Sequence, residues 1–594
     1  MSTLPAFVRE HLSQPRADAL VERVAGTWRG LSTAELQARI DDVAVALRST
    51  PGLEPGDRIA LIAENCIDWL VVDNAILAAG FVVVPIFATQ ALDQVAYIIE
   101  HSGAKLVFAG TLVLSERLQR DVPNCPRVIC FHADAQDSLR VLEAKGRARR
   151  EDGKIEVAGY SSRTDPSSMA VLIYTSGTTG PPKGVMLSHN NIISNVTASF
   201  GYGFGSISAG EHVLSMLPFS HIFEHHMIYG YLMTRVSVHI CHGPEELLAD
   251  LRDVRPVFMS TVPRIFERVL AAVVSKAKSE GGMRARLVPW ALGVSRDYMR
   301  AADRKASPSP ALRLQFSLAH TLVLRKLRPA LGLDRVKYLC CGSAPLHLDI
   351  SYTLAGAGIV ILEGYGPTEC APVLTENRFE TNRIGTVGKP LPNLEIKIAG
   401  DGEILARGPN VMLGYYKDPE ATSAAIQDGW YHTGDIGEFD ADGYLRITDR
   451  KKEVFKTSTG KFVAPSRVEA SLKRSVFINQ AVVVGNGRSH PAALIAPNWE
   501  LIRRELSLDG IEDVGQLSAR GDVRAFLEAE VLEHTAELGK FEQIRRFAIL
   551  PRDLTIEAGE LSPTLKVRRR IVEHRYADLI EEAYRAEASV RRRA

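Results

Sequence analysis

The sequence predicts an α/β protein. A large N-terminal domain of mostly parallel sheets flanked by helices ends in a small antiparallel subdomain, and a small α+β C-terminal domain follows. Three observations carry this. Up to about residue 170, short β-branched runs alternate with helical stretches, the pattern of βαβ units in a mostly parallel sheet. From Thr386 the texture changes to strands of alternating polarity joined by Asp-Gly turns. At Asp449 a charged run, Asp449-Arg450-Lys451-Lys452, separates this part from a compact segment with its own strands and helix. The 594 residues also exceed what one hydrophobic core supports. The expected division is 1–449 and 450–594.

Taken in order, Ser32-Thr33-Ala34-Glu35 is a capping box that starts a helix through Leu47. Strands are expected at 58–62, 81–85 and 106–108, with helices at 69–79 and 94–101 between and after them. Ala170-Val171-Leu172-Ile173 reads as a buried strand entering a run of Thr, Ser and Gly, and Val185-Met186-Leu187 as the strand leaving it. A helix is expected over 190–200 and a strand over 212–217, leading to Pro218-Phe219-Ser220-His221-Ile222-Phe223-Glu224. Residues 265–331 read as mainly helical and rich in Arg and Lys, with solvated polar faces. Strands over 336–341 and 358–362 end in Gly342-Ser343-Ala344-Pro345 and in Glu363-Gly364-Tyr365-Gly366-Pro367-Thr368-Glu369. In the C-terminal part, strands are expected at 481–484 and 492–496. A helix is expected at 523–538, with Val523, Phe526, Leu527 and Val531 on one face and Asp522 as its cap.

Composition narrows the function classes. Apolar residues make up 46% and charged residues 24%, ordinary values for a globular protein. A formal net charge of +1 carries no nucleic-acid footprint. The seven cysteines are scattered and form no C-x-x-C, which points to a reducing compartment and away from a zinc site. Cys340-Cys341 reads as part of a buried strand. The N-terminus shows no secretory pattern, and the longest apolar stretch, 75–88, contains Gly80 and Pro85 and is too short to span a bilayer. The expectation is a cytoplasmic protein, soluble or at most peripheral.

The chemistry concentrates in Tyr174 to Val185. Glycines bring the backbone close to a ligand, amides and hydroxyls donate to anionic oxygens, and Lys183 adds a positive charge. This suits phosphate, although a flexible surface turn reads the same. It is not a Walker A loop, because Lys183 follows Pro182 and precedes Gly184. Glu369, beside Thr368 at a strand end, suits Mg²⁺ next to a nucleotide. Tyr365 offers a flat face to an adenine, and Asp435 suits ribose hydroxyls. Several strands thus end in Gly-containing loops, and one shared ligand at their carboxyl ends accounts for them.

In this order the motifs resemble the adenylate-forming superfamily of acyl-CoA synthetases, adenylation domains and luciferases, and within it the long-chain fatty acid–CoA ligases. They are Thr175-Ser176-Gly177-Thr178-Thr179-Gly180-Pro181-Pro182-Lys183-Gly184, Gly364 to Glu369, Gly402-Glu403 through Arg407-Gly408 to Gly414-Tyr415-Tyr416, Tyr431 to Asp435, and Asp449-Arg450. The resemblance spans nearly the whole chain. It implies that Thr175, Ser176, Gly177, Thr178, Thr179, Gly180 and Lys183 hold the ATP phosphates. It implies that Gly342, Ser343, Ala344, Tyr365 and Gly366 surround AMP, that Thr368 meets the α-phosphate and Glu369 the Mg²⁺, and that Asp435 and Arg450 bind ribose. Lys452 matches the hinge of a mobile C-terminal domain, Lys566 the catalytic lysine of adenylation, and Lys456 to Gly460 the loop that replaces it for thioester formation. His221 and Phe223 match positions beside the acyl group.

The implied reaction joins a long-chain fatty acid to coenzyme A with ATP and Mg²⁺, through an acyl-adenylate, releasing AMP and pyrophosphate. Leu565, where much of the superfamily has Gly, the run Lys456-Thr457-Ser458-Thr459-Gly460-Lys461, and the long helical stretch after Ile265 resemble the long-chain ligases. Delivery to a carrier protein, or a medium-chain or aromatic acid, are the alternatives. A non-catalytic sensor should have lost Lys566, Glu369 or Asp435. A lipid substrate and the basic clusters 566–570 and 591–593 motivate an expectation of peripheral contact with the inner face of a membrane.

Overall fold

The structure is a computed structural model. It describes the chain except residues 1, 153–156, 162, 176–180, 203–206, 305–306, 452, 459, 509, 563–565 and 592–594. Two large sheets form the N-terminal part. One has seven strands, in the order Gly414–Tyr415, Lys183–Ser188, Met169–Thr175, Val82–Ile86, Arg58–Ile62, Leu106–Ala109 and Val128–Cys130. From Met169–Thr175 onward its pairs are parallel, and the first two pairs are antiparallel. The other has nine strands. Its five central pairs are parallel, linking Ile361–Tyr365, Leu339–Cys341, Phe258–Thr261, His212–Ser215, Ser237–Ile240 and Leu20–Val24. The fold class is therefore the expected one, with both faces of the parallel strands buried.

Two helices between the sheets are buried on every side, Ile67–Ala78 and Ile222–Thr234, as apolar composition all round a helix requires. Three of their polar residues meet: His225 Nε2 lies 3.0 Å from Asp73 Oδ2, and Tyr229 donates to the same oxygen at 3.1 Å. The capping box forms as expected on the helix Thr33–Arg48. Ser32 Oγ accepts from Glu35 N at 3.2 Å, and the Glu35 carboxylate accepts from Ser32 N at 2.9 Å.

The third sheet is antiparallel throughout and includes Glu395–Ile398, Glu403–Arg407, Trp430–Phe439 and Leu445–Arg450. Beyond it, Ile478–Val484, Ala492–Pro497 and Phe547–Ile549 form a separate three-stranded sheet with its own core. Arg474 reaches back to Asp349 at 3.3 Å while also facing Glu537 at 3.4 Å. Asp349 keeps a second partner in Arg300.

Three expected elements shift. The strand expected from Val336 forms only over Leu339–Cys341, because Val336 N closes a turn onto Leu333 O after Gly332. The strand expected from Gly358 spans Ile361–Tyr365, since Gly358 sits at φ +76° in the turn that ends the preceding helix. Tyr365 thus stands on a strand end. The helix expected at 523–538 is Gly521–Thr535. Asp522 lies in its first turn, accepting from Val523 N at 2.9 Å and pairing with Arg520, so it is not the cap.

Ser32→Ala should cost about 1 kcal/mol at the start of the helix Thr33–Arg48. Faster hydrogen exchange at the amides of residues 33–36, with other helices unchanged, is the readout.

Candidate active site

The carboxyl ends of the parallel strands open onto one cleft. The strand Met169–Thr175 delivers Thr175, which pairs with Lys183 on the returning strand, so both ends of the glycine-rich loop are pinned. Ser176, Gly177, Thr178, Thr179 and Gly180 lie outside the described residues, as does the expected hinge Lys452. Antiparallel pairing of Gly414–Tyr415 with Lys183–Ser188 brings Tyr415 to this loop. Lys183 Nζ stands 5.0 Å from the Tyr415 ring centre and 3.7 Å from Asp418. Tyr415 then donates its hydroxyl to Glu369 Oε1 at 2.8 Å.

Glu369 sits in a single helical turn, Thr368–Cys370, whose position is fixed when Met412 N donates to the Glu369 carbonyl at 2.8 Å. Gly366, just before it, has no room for a side chain: a Cβ there would meet Pro372 O at 1.8 Å. Tyr415 engages one carboxylate oxygen of Glu369, and Oε2 has no protein partner among the described residues. No cluster of three metal-ligating side chains occurs among the described residues. A lone carboxylate linked through Tyr415 to Lys183, at the loop expected to hold phosphates, fits Mg²⁺, which keeps water and takes substrate oxygens.

The strand end at Tyr365 meets the antiparallel sheet through Asp435. Tyr365 donates to Asp435 Oδ2 at 2.7 Å, and Arg450 Nε donates to Oδ1 at 3.0 Å. Asp435 is buried, so its two oxygens are held by protein donors on both sides. Gly342, Ser343 and Ala344, the residues expected to wall an adenine, follow directly on the strand Leu339–Cys341. Gly342 N donates to Thr261 O at 3.2 Å, and Ser343 takes a left-handed φ of +69° that exposes it and Ala344 to the cleft. A Cβ on Gly342 would sit 3.3 Å from the Phe223 ring, which makes Phe223 and Gly342 direct neighbours.

His221 caps the helix Ile222–Thr234, its Nδ1 accepting from Phe223 N at 3.1 Å. Burial, with the nearby Lys566 charge, lowers its pKa to about 4. It is therefore neutral near pH 7 with the proton on Nε2. Glu224, one residue on from Phe223, braces the start of this helix. Ser215 and Ser260, from two neighbouring strands, both donate to its carboxylate. Burial lifts Glu224 to about 7 despite the two hydroxyls.

Lys566 comes from the far end of the chain. Its backbone is tied into a short loop, Lys566 N donating to Ser562 Oγ at 3.0 Å and Ser562 N to Lys566 O at 2.8 Å. Its ammonium lies within electrostatic reach of Arg450, Asp435, Glu453 and Glu369. The side chain is open to solvent at the cleft surface, yet the protein mass on all sides disfavours its charge. This desolvation, then Arg450, lowers its pKa to about 8 against the pull of the three carboxylates. Lys456, by contrast, contacts its own hairpin and the turn at Gly487. Its Nζ lies 5.5 Å from the Phe462 ring, its carbonyl accepts from Gly487 N at 2.9 Å, and Gly460 closes the turn at φ +82°.

The structure thus gathers Lys183, Glu369, Thr368, Tyr365, Gly366, Gly342, Ser343, Ala344, Asp435, Arg450, His221, Phe223 and Lys566 around one cleft and leaves Lys456 and Gly460 apart. Sequence reasoning gave no role to Tyr415, Asp418, Glu224 or Glu453. Tyr415 stood in a motif, but its partnership with Glu369 exists only through a strand pairing across the chain.

Residues 8–416 match the AMP-binding enzyme family and residues 452–588 the AMP-binding enzyme C-terminal domain. The chain is 35% identical to Long-chain-fatty-acid--CoA ligase FadD15 of Mycobacterium tuberculosis, covering 98% of this chain and 97% of that one. It is 32% identical to Long chain acyl-CoA synthetase 7, peroxisomal, of Arabidopsis thaliana, over 90% of this chain and 78% of that one. In fold it is similar to ATP-bound MatB from Rhodopseudomonas palustris, with a TM-score of 0.70, 23% identity and coverage of 97% and 99%. It is also similar to the A domain of carboxylic acid reductase from Segniliparus rugosus, solved with AMP and a carboxylic acid. That match has a TM-score of 0.74, 22% identity and coverage of 98% and 94%. With both parts of the chain matched in order and a relative 35% identical along nearly its whole length, the chain belongs to the adenylate-forming, AMP-binding enzyme family.

Proposed function

We propose that the protein ligates a long-chain fatty acid to coenzyme A at the expense of ATP, through an acyl-adenylate. The observation that carries this is the convergence of Lys566 with Glu369 and the Tyr365–Asp435–Arg450 group on one cleft. The relatives named as long-chain ligases support the acyl class.

In this reading the fatty acid carboxylate attacks the α-phosphorus of ATP, and pyrophosphate leaves from the side of Lys183 and the 175–180 loop. Two anions must approach each other, so catalysis rests on positioning and on charge brought to the developing transition state. Lys566 brings a positive charge, and Thr368 takes the α-phosphate. Asp435 with Arg450 holds the ribose, while Tyr365, Gly366, Gly342, Ser343 and Ala344 hold the adenine. Mg²⁺, when bound at Glu369, supplies further neutralisation of the phosphates. Neutral His221 presents Nε2–H as a donor at the acyl end, beside Phe223. In the second half-reaction the coenzyme A thiol gives up its proton, its sulfur bonds to the acyl carbon, and the bond from that carbon to the phosphate oxygen breaks, so that AMP departs with the electron pair.

Lys456 and Gly460 then belong where Lys566 stood, which a rotation about Lys452 of the part beyond 449 would achieve. The separation of the two lysine loops supports this assignment. No helix among the described residues is long and apolar enough to cross a membrane. A cytoplasmic enzyme touching the inner face of a membrane at its periphery fits that observation and the lipid substrate.

Pyrophosphate release measured with a panel of carboxylates tests the reading. Release should require a long-chain fatty acid and yield acyl-CoA when coenzyme A is present. Acyl-adenylate persisting despite coenzyme A would instead assign delivery to a carrier protein. Lys566→Ala should slow adenylation by about 10²–10³-fold while sparing thioester formation from supplied acyl-adenylate. Equal loss of both half-reactions would sink the two-loop assignment.

The pKa of Lys566 fixes the sign of a pH effect. Its ammonium is present below about 8 and is lost as pH rises through that value. The kcat/KM for adenylation should therefore fall on the alkaline side of about 8, and Lys566→Arg should move that limb upward while lowering the plateau. An alkaline limb unmoved by the substitution would assign it to another group.

A further inference from the structure

Residues 263–330 form a helical segment, comprising Pro263–Glu280, Gly282–Asp303, Pro310–Ala319, a π-helical turn His320–Leu324 and Arg325–Ala330. The segment carries 14 Lys and Arg against 4 Asp and Glu, whereas the whole chain has 71 against 70. The positive charge of a nearly neutral protein is concentrated here, and the remainder is net acidic.

The outermost helix, Pro310–Ala319 with its π-helical continuation, is apolar on two sides. One side is used inside the protein: Phe316 stacks on Tyr298 at 4.0 Å, and Ala319, Leu324 and Leu327 pack with Ala291, Leu292 and Val294. The other side carries Leu314, Leu318 and Leu322, spaced by four so that they line one stripe. They are 64%, 48% and 46% exposed, and Met283, at the opposite end of the segment's long helix, is 76% exposed. A helix with a covered apolar face and a second, open one is built for a partner outside the chain.

Charge identifies the partner. Arg313 precedes the stripe and Arg325-Lys326 follow it, all exposed and without an ion pair among the described residues. Leucines on one face with Arg and Lys at its margins are what an anionic lipid surface takes: acyl chains receive the leucines, and headgroup phosphates the cations. A second copy of this chain would bring the same positive segment against itself. Nucleic acid would leave the leucines in water.

The segment is also rooted in the cleft. Pro263–Glu280 begins two residues after Thr261, whose Oγ1 donates to Cys340 O at 2.7 Å and whose carbonyl holds Gly342 N. Eighteen helical residues span about 27 Å, so the helix leads from beside Gly342 into the basic helical segment.

We propose that the helices of 263–330 dock the enzyme on an anionic lipid surface, with Leu314, Leu318 and Leu322 entering the headgroup boundary. The proposal names the membrane contact of the fatty-acid ligase reading, but binding is measured without turnover, so either can fail alone. Full-length protein is floated with vesicles of phosphatidylcholine, or of phosphatidylcholine with phosphatidylglycerol, at low and high salt. Binding should require the anionic lipid and weaken with salt. Two combined variants are compared: Leu314→Ser, Leu318→Ser and Leu322→Ser, and Arg313→Glu, Arg325→Glu and Lys326→Glu. Each should lower the bound fraction about tenfold or more. Thermal midpoint and pyrophosphate release with a water-soluble short acid should stay at the parent's level, because these side chains are exposed and outside the cleft. Absence of binding to anionic vesicles, or variants that float as well as the parent, would overturn the proposal. So would a leucine variant that changes only sedimentation from dimer to monomer, which would give the stripe to a second copy. Retention on RNA in place of vesicles would assign the charge to nucleic acid.

Discussion

One buried carboxylate ties the cleft to the rest of the protein. Asp435 receives Tyr365 from the large parallel sheet and Arg450 from the last strand of the antiparallel sheet. Neither sheet alone would set the position of both groups. A buried carboxylate with two protein donors is also stiff, because losing either leaves charge or hydroxyl unpaired in a poorly solvated place. Tyr365, Asp435 and Arg450 are therefore held as one unit across the two sheets.

Around that fixed point the site is assembled from distant pieces, each held by an ordinary local device. A cap holds His221, a two-serine brace holds Glu224, a strand pairing holds Tyr415 against Lys183 and Glu369, and a short hydrogen-bonded loop holds Lys566. The shifts in proton affinity follow from this assembly. His221 and Lys566 both lose affinity because many chain segments crowd around them and disfavour a positive charge, for Lys566 with the Arg450 charge added.

Much of this was legible beforehand. The alternation of β-branched runs with helical periods gave the parallel sheets, since both signals are set by local backbone geometry. The residues of the cleft could be named because their motifs kept their order along the chain. What stayed hidden is what depends on contact between remote segments. Nothing near Tyr415 says that it reaches Glu369, and nothing near Asp73 says that His225 and Tyr229 will share it. The strand ends at Val336 and Gly358 were misplaced because a turn glycine outweighed β-branched neighbours. The stripe Leu314, Leu318, Leu322 was hidden for the opposite reason: its spacing is that of a core face, and only its exposure distinguishes it.

The pair Arg474–Asp349 has a consequence for how readily the C-terminal part comes away. Each member already has another partner, Arg300 for Asp349 and Glu537 for Arg474. Pulling the two apart strands neither charge, so the separation avoids the cost of an orphaned buried ion. A contact of this kind orients the two parts of the chain without locking them together.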